Sequence, residues 1–409
     1  MTRGKPLALP LVFLIIIIAS TALAAVRETV LHSFHGTPGR WPYAGLISDS
    51  VGNFYGVTRY GPCSDSCGVA FELQPVSNGY KYKVLHVFDH PGDGSEPNGA
   101  MVLDAKGNLY GTTVSGGANS QGIVYELSPT QSGTWKETIL HGFQGGSDGS
   151  APEGALIFDQ AGDLYGTTLF GGGSSCGGVG CGTVFELSPS GGAWNETILH
   201  AFNRSDGQNP WAAVEFGADG NLYGTTEYGG DYNIGTVFQL SSSGGGWTEK
   251  VLYSFTGGSD GSVPASGVTF DSAGNLYSTA AGGGNFGICS IGCGTVFELS
   301  PHLDGTWSLT TLYAFSGADG QAPNAGVIFD TVGNLYGTTF YGGTGAGGIV
   351  YKLSPAKGRW TERILYDFTR GNDGYLPSCD LIRDAAGTLY GTTAYGGTND
   401  IGTVFKLHP

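Results

Sequence analysis

The chain has 409 residues, with 34 acidic against 18 basic side chains and a formal charge of −16. That balance argues against nucleic acid and anionic membranes as partners, because both require a basic face.

The first 24 residues carry Arg3 and Lys5, an apolar run from Leu7 to Ile18, and the small-residue site Ala22-Leu23-Ala24. This is the pattern of an export signal, with an apolar run too short for a membrane span. Residues 25–409 are therefore expected to form one exported domain, secreted or periplasmic and not inserted in a membrane.

RETVLHSF (27–34) follows, a β-type run. Then comes the phrase GNFYGVT at Gly52, which returns with small changes at Gly107, Gly162, Gly220, Gly274, Gly333 and Gly387. Each copy is preceded by a segment such as AGVIFD (325–330). Each is followed by one such as GTVFELSP (294–301) and, in the first six, by a Trp- or Tyr-rich segment such as WNETILHAF (194–202). A unit thus holds four short runs rich in β-branched and aromatic residues, separated by Gly, Pro, Asn and Asp. In FDxxGNLYG the Asp and the Gly-Asn pair fit a tight hairpin turn, where Gly and Asn tolerate positive φ. Leu109 and Tyr110 point to opposite faces of their strand, so both faces are buried. Gly111 leaves room for a neighbour's bulk. Repeated four-stranded sheets covered on both sides describe an all-β, seven-bladed β-propeller. The chain ends on a third-type run, GTVFKLHP (402–409), so the run at 27–34 is expected to complete the last blade and close the ring.

Three close cysteine pairs fall between the second and third runs: Cys63 with Cys67, Cys176 with Cys181, and Cys289 with Cys293. In an oxidising compartment these are loop disulfides; no second pair or His pair lies near enough for zinc. Cys379 reads as a small buried thiol.

The phrases GNLYGTT, GTVFELSP and FxGxDGxxP, at a period near 55, resemble the GloVer tandem-repeat (choice-of-anchor tandem repeat) family, across residues 26–409. The resemblance implies a secreted bacterial repeat protein of propeller type. It implies no particular reaction.

Enzyme motifs give little. GGSDG at 145–149 and 257–261 matches G-x-S-x-G but lies between strands and not at a strand-to-helix turn. Matches to G-x-G-x-x-G are expected in a chain with 74 glycines. His32, His86, His141 and His200 share a slot filled elsewhere by Tyr253, Tyr313 and Tyr366, which reads as half-buried packing. Two repeated features carry more. One is an Asp-Gly pair in the loop entering each unit after the first: Asp93, Asp148, Asp206, Asp260, Asp319 and Asp373. These acids serve as turn caps or, on the sharper reading, as a carboxylate ring holding Ca²⁺; no other cofactor is implied. The second is an aromatic after the second run, at Tyr60, Phe170, Tyr228, Tyr341 and Tyr395, with Trp41, Trp211 and Tyr375 in the entering loops. These rings are packing or a surface for sugar rings. The favoured reading is a monomeric, non-catalytic binding or scaffold protein presenting this loop face to extracellular glycan or protein. The alternative is an extracellular polysaccharide hydrolase, lyase or lactonase-like enzyme using loop carboxylates such as Asp148 or Asp319 near the central pocket.

Overall fold

In the computed structural model, which describes Met1 and residues 26–63, 67–89 and 92–409, the chain forms seven four-stranded antiparallel sheets. The export-signal residues fall outside the described residues. The second blade is representative: Val102–Leu103 innermost, then Leu109–Thr113, Ile123–Pro129 and Trp135–Gly142 outermost. No helix among the described residues is long and apolar enough to cross a membrane. The ring closes as the end pattern requires. Arg27–Ser33 pairs antiparallel with Thr403–His408, from Arg27 opposite His408 to Ser33 opposite Thr403, and is the outer strand of the seventh sheet.

The second strand of each blade explains the repeated phrase. Leu109 packs back into a core shared with the first blade, whereas Tyr110 packs forward into a core shared with the third. There its ring meets Phe158 edge-on at 5.1 Å and Trp194 at 6.4 Å. The bulk facing Gly111 is not a neighbouring blade but the cross-strand ring of Tyr125, whose hydroxyl would lie 2.4 Å from an added Cβ. The threonines tie blade to blade. Thr112 Oγ1 donates to the Gly154 carbonyl of the next blade, Thr225 to Ser266, and Thr392 to Ala44 across the closure.

The turn before the phrase departs in detail from the expectation. Gly107 takes positive φ (87°), but Asn108 does not. Instead the Asn108 amide donates to Asp104, which also accepts from the Lys106 and Asn108 backbone amides and the Tyr110 hydroxyl. In the fourth blade Gly217 stands at the Asp position, and Asp219, two residues on, takes the Tyr223 hydroxyl instead.

Three disulfides join Cys63 to Cys67, Cys176 to Cys181 and Cys289 to Cys293; Cys379 is a buried free thiol.

Candidate functional site

Each entering loop crosses one end of its blade and pairs by backbone with the loop leaving the second strand. Arg40 bridges to Tyr60, Ser150 to Phe170, Gln208 to Tyr228, Gln321 to Tyr341, and Tyr375 to Tyr395. The five sequence-predicted aromatics therefore sit on one face with the entering loops. Phe170, Tyr228 and Tyr341 are 37%, 37% and 41% exposed, so they are available to a ligand. Tyr395 stacks on Tyr375, and Trp41 lies edge-on to Tyr60 at 5.2 Å and tilted against Tyr395 at 5.5 Å. This group spans the seam between the last and first blades, with the guanidinium of Arg40 over both Trp41 and Tyr60.

The Asp-Gly aspartates are engaged in their own loops. Asp260 accepts from the Thr256 amide and hydroxyl, the Gly258 amide and the Tyr253 hydroxyl. Asp319 and Asp373 do the same with Ser316 and Tyr313, and with Thr369, Gly371 and Tyr366. Asp93, Asp148 and Asp206 likewise accept from the Gly94, Gln144 and Asn203 backbone amides, and they also face the histidine of the shared slot. No group of three or more metal-ligating side chains among the described residues contains two of the six aspartates. They stand one to a junction between blades.

The structure also gathers residues that the repeat pattern does not single out. A cavity of about 440 Å³ is lined by all seven blades. Its lining includes, beside small residues such as Ala44, Gly99 and Ala212, residues from three positions that change from blade to blade. The residue after the entering-loop proline is Tyr43, Asn98, Glu153, Trp211, Ala265, Asn324 or Ser378. The residue before that proline has φ between 53° and 58° in every blade: Trp41, Glu96, Ala151, Asn209, Val263, Ala322 and Leu376. Its carbonyl accepts from the amide of the third position, as Trp41 does from Arg59, Asn209 from Glu227 and Ala322 from Phe340. A β-branched residue such as Val263 in this region is strained, so the conformation is held by these backbone bonds.

The cavity's polar groups are unlike one another. Arg59 makes two hydrogen bonds to Glu96, at 2.8 and 3.0 Å. Glu153 is buried, accepts from the Asn98 amide, and is pushed above the usual carboxylate range by burial, against the pull of Arg59. Burial also raises Glu227. Asp380 stands where other blades have Gly or Ala, and lines both this cavity and a second one of about 210 Å³. Its carboxylate is open to the lumen but ringed by protein, so burial raises its pKa although the Gly326 amide donates to it at 2.6 Å. These carboxyl groups offer hydrogen-bonding oxygens, and Trp211, Tyr43 and Phe340 add flat apolar surface. Such a lining fits a polyhydroxylated ligand.

The family model for the Gloeobacter/Verrucomicrobia repeat matches the chain twice, over residues 17–180 and 177–405. No curated protein matches it in sequence. Among solved structures, a protein from Lactobacillus plantarum is similar at 14% identity and a TM-score of 0.52, covering 83% of this chain and 86% of that one. The extracellular domain of a protein named as a hybrid two-component system of B. thetaiotaomicron is similar at 11% identity and a TM-score of 0.53, covering 91% of this chain but 39% of that one. These likenesses concern the fold alone.

Proposed function

We propose that this chain, which belongs to the Gloeobacter/Verrucomicrobia repeat family, is a secreted, monomeric binding protein that seats part of an extracellular glycan in the central cavity, with the aromatic rim holding its continuation. One observation carries the reading. The side chains that face this cavity differ from blade to blade although the backbone that carries them repeats, as a site for an unsymmetrical partner requires. Carboxyl groups beside Trp211 and Tyr43 supply the hydrogen bonds and flat faces that sugars take. A second reading, hydrolysis or elimination of a polysaccharide, is favoured by the raised pKa of both Glu153 and Glu227 in that same cavity.

Calorimetric titration with oligosaccharides selected on a glycan array tests both. Trp211→Ala and Glu153→Gln should each weaken binding at least tenfold. Alanine at Tyr228 and Tyr341 together should weaken binding of longer oligomers while leaving the melting temperature within a few degrees. Unchanged affinity in all three variants would move the site elsewhere. Shortened products that disappear with Glu153→Gln or Glu227→Gln would replace binding by catalysis.

A further inference from the structure

Outside the central cavity, three successive junctions between blades repeat one cluster of side chains. His86, Asp93 and Glu137 meet between the first and second blades, His141, Asp148 and Glu196 between the second and third, and His200, Asp206 and Glu249 between the third and fourth. In each, the imidazole comes from one blade's outer strand, the aspartate from the Asp-Gly loop that follows, and the glutamate from the next blade's outer strand. The rings are oriented alike because each stands edge-on to a buried phenylalanine: His86 to Phe88 at 4.6 Å, His141 to Phe143 at 4.7 Å, His200 to Phe202 at 4.8 Å.

We propose that these three junctions are divalent metal sites of one design, each holding a borderline ion of the Zn²⁺ class through one imidazole nitrogen and two carboxylates. The spacing fits. Tetrahedral zinc, with bonds of about 2.0–2.1 Å to nitrogen and oxygen, holds its ligand atoms roughly 3.3 Å apart. His86 Nε2 lies 3.1 Å from Asp93 Oδ2 and 3.8 Å from Glu137 Oε2. His141 Nε2 lies 3.4 and 3.7 Å from Asp148 and Glu196, and His200 Nε2 lies 3.3 Å from Asp206. Beyond these ion pairs, several polar atoms at the junctions make no hydrogen bond. His141 Nε2, His200 Nε2, Glu196 Oε1, Glu249 Oε1 and Glu137 Oε1 are buried without a hydrogen bond, as is the fully buried hydroxyl of Tyr125, which feels the charge of both Glu137 and Asp93. Two carboxylates facing each other away from water are disfavoured unless a cation or a shared proton joins them. An imidazole among the ligands selects zinc-like ions over calcium, which takes oxygen alone.

Three of the other four junctions show what the cluster becomes without the imidazole; the fourth keeps His32, stacked on Tyr82. Tyr253, Tyr313 and Tyr366 take the histidine's place, and their hydroxyls donate to Asp260, Asp319 and Asp373 at 3.1, 2.6 and 3.1 Å. Tyrosine is therefore a replacement this repeat already accommodates, which gives the test a folded control. Untagged full-length protein, stripped with chelator and equilibrated with ZnCl₂, should retain three ions per chain by plasma mass spectrometry. His86→Tyr, His141→Tyr and His200→Tyr should each remove one, and the triple variant all three, without changing the metal-free melting temperature by more than a few degrees. Cobalt loaded in place of zinc should give visible absorption that falls stepwise through the same series. If a tyrosine variant folds poorly, Glu196→Gln should remove one ion in its stead. Retention of no zinc by the parent, or a stoichiometry that the triple variant leaves unchanged, would overturn the proposal and leave the clusters as ion pairs between blades.

Discussion

The Asp104 carboxylate accepts two backbone amides, one asparagine amide and one tyrosine hydroxyl within a single turn. Burial alone would raise its pKa, but these bonds outweigh that and hold it below the usual range, as they do at Asp49, Asp271 and Asp330. Glu28 and Glu362 behave oppositely. Burial, reinforced by the charges of Asp373 and Asp319, pushes each up to about 7. A carboxyl depressed in the folded state stabilises above its unfolded pKa, and that stability is lost as pH falls. One that is raised stabilises below its unfolded pKa, near 4.5, and that stability is lost as pH rises toward 7. Urea melts across pH 3 to 9 should therefore give a maximum near pH 5, and Glu28→Gln with Glu362→Gln should flatten the decline between pH 5 and 7. Asp104→Ala should cost roughly 1.5–3 kcal/mol, the scale of hydrogen bonds to a charged group. The Asp was legible as a turn former. Its reach to Tyr110 was not, because that contact links the turn to the strand after it.

Strands and loops divide what the sequence discloses from what it hides. Alternation of Leu109 and Tyr110 fixes a sheet buried on both sides, since period-two patterning needs no knowledge of neighbours. The three cysteine loops were equally plain, each pair lying within one connection. They carry a simple expectation. Cys379 is 2% exposed, its Sγ accepts the Thr392 amide, and burial pushes the thiol up to about 11. Alkylation without reductant should label nothing in the native protein and one cysteine after unfolding; mass spectrometry finding three or more labelled would refute the pairing. The His86, Asp93 and Glu137 cluster was hidden because its glutamate belongs to the next repeat. Only the blade-to-blade register brings the slot at His86 opposite the second residue after Trp135. Arg59, Glu153 and Glu227 escaped for another reason: attention to what repeats passes over what varies.

As a whole the molecule is a ring whose last sheet is built from both ends of the described chain. Removing residues 25–34 would leave Thr403–His408 as an unpaired edge beside exposed apolar rings. The shortened protein should associate on size-exclusion chromatography and melt well below the parent; a monomer of unchanged heat resistance would mean that the ring is held by other means. The variable positions around the cavity bear on how such a protein changes over generations. At the position after the second strand the structural duty is discharged by the main-chain amide, Arg59 to Trp41 and Phe340 to Ala322 among them, which every residue but proline can supply. Side chains there are thus free to be exchanged with little effect on folding, as in the loops of an antibody. A library randomised at Tyr43, Glu153, Trp211, Glu227 and Phe340 should keep most members folded while altering what each one recognises.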